Sequence, residues 1–157
     1  MKTFHVALAI LGAFLAQTLV GRYVASSRTY FDLFLLAASA FGLTSGRLTG
    51  MVAGTAGGLV QDAFSGGILG VNGFSKTTVG YVAGVLGNRL IIRGSVARFA
   101  FFALASLVDL VILILIGVAV EKPLVWGEGA KAIYVCVGNG ILGTVILGLE
   151  ERFNRSR

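Results

Sequence analysis

The chain is poor in the residues that most enzymatic reactions use. Its single cysteine, Cys136, has no intrachain partner, so neither a disulfide framework nor a thiolate metal site can be built on it. It reads as a small packed side chain. The single histidine, His5, stands at the start of an apolar run, where an interfacial or packed ring is expected, and no nucleophile, base and orienting group assemble around it. Charge is also scarce. Only 13% of residues are Asp, Glu, Lys or Arg, against 56% hydrophobic residues and a mean hydropathy of +0.89. A soluble globule of 157 residues needs more polar surface than that, so the composition points to an integral membrane protein with no separate soluble domain.

What is abundant is apolar sequence, and it falls into six runs at about 4–20, 30–43, 48–64, 74–92, 97–120 and 130–149. Each is expected to be a helix, because backbone in lipid must satisfy its own hydrogen bonds and the runs lack the alternation of barrel strands. The expected fold is therefore an all-α integral membrane protein, a single domain over 1–157 with about six transmembrane helices in a compact bundle. The first run resembles a secretory core after Lys2 but lacks a small-residue cleavage site, and is read as a retained helix. The second and third are short and separated only by Thr44, Ser45, Gly46 and Arg47, which suggests tilted or partly buried helices, or a tight hairpin.

The net charge of +6 is explained by topology. Basic residues stand at the ends of the apolar runs and form no stripe with interleaved aromatics, so nucleic acid is not an expected partner. With both termini in the cytoplasm, Lys2, Arg47, Arg89, Arg93, Arg98, Arg152, Arg155 and Arg157 lie inside, and Arg22, Arg28, Lys76, Lys122 and Lys131 outside. Eight against five follows the positive-inside rule. The segment EKPLVWGEGAK then falls outside, with Pro123 breaking the chain and Trp126 at headgroup depth.

Eleven of the 23 glycines lie between 50 and 87. Gly50, Gly54 and Gly58 share one helical face, as do Gly80 and Gly84, and such faces let helices approach closely in lipid, either within the chain or against a partner. Between them the stretch QDAFSGGILGVNGFSK reads as irregular backbone folded back into the bundle. Asp62 and Asn72 are suited to tying down its amides, and Lys76 to neutralising Asp62 across the turn. A second anomaly is Asp109, in the middle of SLVDLVILILIGVAV, where an ionised carboxylate costs at least about 2.5 kcal/mol. In an antiparallel hairpin Asn139 reaches similar depth, so either a hydrogen bond between these two residues or a proton or ligand site is expected.

The stretch GGLVQDAFSGGILGVNGFSKTTVGYVAG resembles the central signature of the rod shape-determining protein MreD family, with Gly58, Asp62, Ser65, Leu69, Gly70, Asn72, Gly80 and Gly84 carrying the likeness. The resemblance implies a component of the bacterial inner membrane working in cell elongation beside MreC, MreB filaments, the glycosyltransferase RodA and a class B penicillin-binding protein. It also implies a six-helix fold similar to the substrate-binding subunits of energy-coupling-factor vitamin transporters. Three classes compete on the residues themselves. A scaffold needs helix faces that fit partners, a carrier needs a pocket of convergent polar groups, and an enzyme needs a paired acid and base at a cavity. Two separated intramembrane carboxylates and one histidine are poor material for catalysis. The expected function is a non-enzymatic membrane scaffold without cofactor or metal, meeting an MreC-like single-pass protein through the face of Gly50, Gly54 and Gly58. The alternative is a membrane-embedded subunit that binds a small molecule or lipid precursor.

Overall fold

A computed structural model describes residues 8, 11–13, 15, 31–65, 68–89, 94–121 and 129–155. Among them are five helices: α1 (Leu33–Ser45), α2 (Arg47–Ser65), α3 (Val71–Arg89), α4 (Ser95–Ala119) and α5 (Gly129–Arg155). Leu8, Leu11, Gly12, Ala13 and Leu15, within the first apolar run, are helical as well. His5, Pro123 and Trp126 lie outside the described residues.

Glycine sets the breaks between helices. Gly46, with φ at 92°, is the one residue between α1 and α2; its N–H closes the end of α1 on the Gly42 carbonyl, and its own carbonyl accepts from Gly50 N at the start of α2. The short second and third runs thus form a tight hairpin. The irregular segment expected over QDAFSGGILGVNGFSK is much shorter than its glycine content suggested. Gln61–Ser65 completes α2 and Val71–Lys76 opens α3, so among the described residues of this stretch only Ile68, Leu69 and Gly70 are non-helical. Keeping the helices regular lets backbone groups pair within each helix, which an apolar setting demands.

The helices form two units. α1, α2 and α3 pack closely on one another, and α4 pairs with α5. Their contacts fix the directions. Gly84 and Gly87 near the end of α3 face Gly46, Arg47 and Leu43, so the α1–α2 turn and the end of α3 share one end of the bundle. α4 and α5 run antiparallel, with Arg98 beside Gly148, Phe102 against Gly143 and Ser106 bonded to Asn139.

The glycine face of α2 is internal. A Cβ on Gly50 would strike Gly80 of α3 and Gly42 of α1, one on Gly54 would strike the Lys76 carbonyl, and one on Gly58 would strike Asn72 and Gly73. All three glycines are buried. The assignment of Gly50, Gly54 and Gly58 to partner binding is therefore corrected: α3 covers them, and a partner helix cannot reach that face.

The interior holds an apolar core that includes Leu35, Leu36, Val79 and Phe102, but large apolar side chains also cover the outside and several polar ones lie within. Leu104, Val111, Leu115 and Val118 on α4, with Ile133, Val137, Ile141 and Val145 on α5, are exposed. Asp62, Lys76, Arg98, Asp109 and Asn139 are buried. Such extensive exposed apolar surface is what a lipid solvent favours. By length and composition one described helix, Ser95–Ala119, is long and apolar enough to cross a membrane; Leu33–Ser45 and Ile133–Leu149 are shorter apolar helices. α1, at 13 residues, spans about 20 Å against the ~30 Å of a hydrocarbon core. It begins inside the bundle, and that position creates the polar site.

Candidate functional site

An α-helix that starts among other helices brings unpaired N–H groups and a partial positive charge with it. Asp32 answers both for α1. Its Oδ1 accepts from Leu35 N at 3.0 Å as an N-cap, and its own backbone N–H donates to Asn139 Oδ1 of α5 at 2.9 Å. The second oxygen, Oδ2, accepts from Gln61 Nε2 of α2 at 3.2 Å and pairs with Lys76 Nζ of α3 at 2.9 Å. One carboxylate therefore joins α1 to α2 and α3.

Lys76 is the centre of the network. Its side chain is fully buried, and its ammonium donates to Asn72 Oδ1 at 3.1 Å, pairs with Asp32, and lies 3.6 Å from Asp109 Oδ2 of α4. Asp109 in turn accepts at Oδ1 a short 2.5 Å hydrogen bond from Ser75 Oγ. Adjacent residues of α3 thus grip α4 through one carboxyl group.

Asp62 serves a different end. From the last turn of α2 it reaches the start of α3, where its Oδ2 accepts from Gly70 N at 2.8 Å and Gly73 N at 3.1 Å. Its Oδ1 accepts from Asn72 N at 3.2 Å and Asn72 Nδ2 at 2.8 Å. A carboxylate over a helix N-terminus answers the unpaired amides and the dipole together. Asn72 is polarised between the two charged sites, with its NH2 toward Asp62 and its carbonyl toward Lys76.

Asp62, Asn72 and Lys76 thus come together, but not as expected. Lys76 makes its ion pairs with Asp32 and Asp109, and meets Asp62 only through the Asn72 amide. Asp109 and Asn139 share the bundle interior without bonding each other. Asn139 Nδ2 donates to Ser106 Oγ at 2.8 Å, and Ser106 donates to the Phe102 carbonyl. Depth along the helices was a sound guide for both residues, but rotation about the helix axes was not contained in the residue count. The sequence reading also omitted Asp32, Gln61 and Ser75. Asp32 carried a usable signal, an N-cap residue immediately before an apolar run.

Residues 2–130 match the family of the rod shape-determining protein MreD. The chain belongs to that family. The match includes α1 to α4 in full and ends at the beginning of α5, so the whole Asp32, Gln61, Lys76 and Asp109 network lies inside it, whereas Asn139 lies beyond. No curated protein and no solved structure matches the chain. As an MreD-family membrane protein, it has an implied role in rod shape determination.

Proposed function

We propose that this chain is a non-enzymatic scaffold in the inner membrane of a rod-shaped bacterium. It holds an MreC-like single-pass protein and, through the same complex, supports RodA, a class B penicillin-binding protein and lateral peptidoglycan synthesis. In this reading six helices cross the bilayer and both termini are cytoplasmic. Lys76 and Arg98, both buried, no longer count as loop charges, yet the remaining balance of seven against four keeps the same orientation.

The observation that carries the proposal is how the interior polar groups are used. Asp32, Asp62, Lys76 and Asn139 bond groups of this same chain, and each of them joins one helix to another. Such a network fixes helix positions and gives partners a defined surface. One atom favours a second reading. The Oε1 of Gln61 is a buried acceptor without a hydrogen-bond partner among the described residues, as a subunit that takes up a small molecule or lipid precursor would have.

Copurification of the full chain from its native membranes separates the two. Recovery at fixed stoichiometry with a single-pass partner, and conversion of rods to round cells on depletion, is the expected result. Recovery of a bound small molecule with no protein partner would overturn the scaffold and favour the second reading.

A further inference from the structure

Among the described residues, the charges at the centre of the bundle do not balance. Asp32, Lys76 and Asp109 face one another from α1, α3 and α4 with two carboxyl groups and one ammonium. Among the described residues, the remaining neighbours do not supply the missing positive charge. α2 contributes the neutral Gln61 and also Asp62, whose carboxylate is taken up by the start of α3; α3 adds the neutral Asn72 and Ser75; α5 contributes the neutral Asn139. If both carboxyl groups of the triad were ionised, they would leave one uncompensated negative charge among apolar helices, which is strongly unfavourable.

We propose that Asp109 is a proton-binding site, carrying on Oδ2 one proton taken from water, so that the Asp32, Lys76 and Asp109 triad is neutral. Geometry selects Asp109 over Asp32. Both oxygens of Asp32 accept hydrogen bonds, and its ammonium contact is 2.9 Å. Asp109 Oδ2 has no hydrogen bond among the described residues and its ammonium contact is a long 3.6 Å, while Oδ1 is the carbonyl that Ser75 donates to. The unpartnered Gln61 Oε1 is an independent sign that the same region is short of hydrogen-bond donors. A metal ion suits it less well, since the Lys76 ammonium already sits between the carboxyl groups and, among the described residues, no three His, Cys, Asp or Glu side chains gather to hold one. The proton lies where the two helical units meet. Loss of it would place a net charge between α3 and α4, so its occupancy controls how firmly those units are joined. This inference is independent of which protein the scaffold holds.

The test is infrared spectroscopy of the purified full-length protein in phospholipid nanodiscs, with carbon-13 aspartate identifying the aspartic bands. At neutral pH the carbonyl stretch of a protonated aspartic acid is expected, and Ser75→Ala should raise its frequency by removing the donor to that carbonyl. Charge balance predicts that the band vanishes in Asp109→Asn and also in Asp32→Asn, where Asp109 becomes the sole counter-ion of Lys76 and gives up its proton. Both single variants should accumulate within about twofold of wild type, and the double variant, with Lys76 uncompensated, at least about tenfold lower. Absence of an aspartic acid band at neutral pH, a band that Ser75→Ala leaves unmoved, or failure of Asp109→Asn to accumulate would each overturn the proposal.

Discussion

Replacing Asp62 by leucine tests whether the glycine-rich turn is held by one carboxylate. The side chain accepts four hydrogen bonds, three of them from the backbone amides of Gly70, Asn72 and Gly73. Leucine removes every acceptor while keeping a similar volume. An N–H buried without an acceptor costs about 1–3 kcal/mol. Gly73 is buried and feels the full effect, whereas Gly70 and Asn72 are half-buried, and solvent or headgroups offset part of their loss. The combined destabilisation is then about 3–5 kcal/mol. Asparagine is the control. Its amide oxygen in place of Oδ2 keeps the bonds from Gly70 and Gly73, but its NH2 then faces the donors of Asn72, and the charge opposing the helix dipole is gone. The expected loss is about 2 kcal/mol. Thermal unfolding in nanodiscs, together with abundance in membranes, should rank wild type above Asp62→Asn and Asp62→Asn above Asp62→Leu. A leucine variant within about 1 kcal/mol of wild type would refute the claim that these amides depend on Asp62. An asparagine variant as stable as wild type but without function would show instead that the charge itself is used.

Gly54→Leu should lower abundance, because its side chain meets the Lys76 backbone and overpacking of this kind costs about 1–3 kcal/mol or more. Normal abundance with loss of a copurified partner would restore this face to partner binding. Asn139→Leu removes the acceptor for the Asp32 N–H and the donor to Ser106, and should lower thermal stability by about 1–2 kcal/mol; an unchanged midpoint would show that water replaces both bonds. A reporter fused after Arg157 should read as cytoplasmic and one inserted between residues 125 and 129 as periplasmic. Periplasmic signal at Arg157 would overturn the six-span orientation.

Hydrophobic runs made the helices from Leu33 onward legible in the sequence, with ends within three residues except that α5 continues to Arg155, six residues past the last run, because apolar length in lipid has few structural outcomes while a polar helix end leaves no such mark. The tight α1–α2 hairpin was also legible, from the four residues between the runs. Partner choice among the polar groups was not. Whether Lys76 meets Asp62, fourteen residues before it in the chain, or Asp32 and Asp109 depends on how α3 is rotated, and α3 has glycines on its α2-facing side and little apolar asymmetry to fix that rotation in advance. Asp32 went unnoticed for a related reason. It lies at the edge of a run, where a carboxylate normally ends in solvent or headgroups, and only the shortness of α1 draws it into the bundle.

The glycines and the buried charges are two parts of one solution. Without a hydrophobic drive between helices in lipid, α2 and α3 gain contact by close backbone approach, and the rows of Gly50, Gly54 and Gly58 and of Gly80 and Gly84 permit it. That contact is strong but carries little information, because a helix pair lined with small residues can slide along its groove. Asp62 at one end and the Asp32 to Lys76 pair further in allow only one register, since a shift by a single residue would leave the Gly73 amide or the Lys76 ammonium without its partner. Asp109 extends the same constraint to α4, which has no glycine row toward α3 and meets it through fewer residues than α2 does. Close packing therefore supplies adhesion inside the three-helix unit, and the polar network supplies position both within that unit and between the two units. The scaffold proposed above would need both, because a partner's transmembrane segment would read the relative placement of helices that are themselves surrounded by fluid lipid.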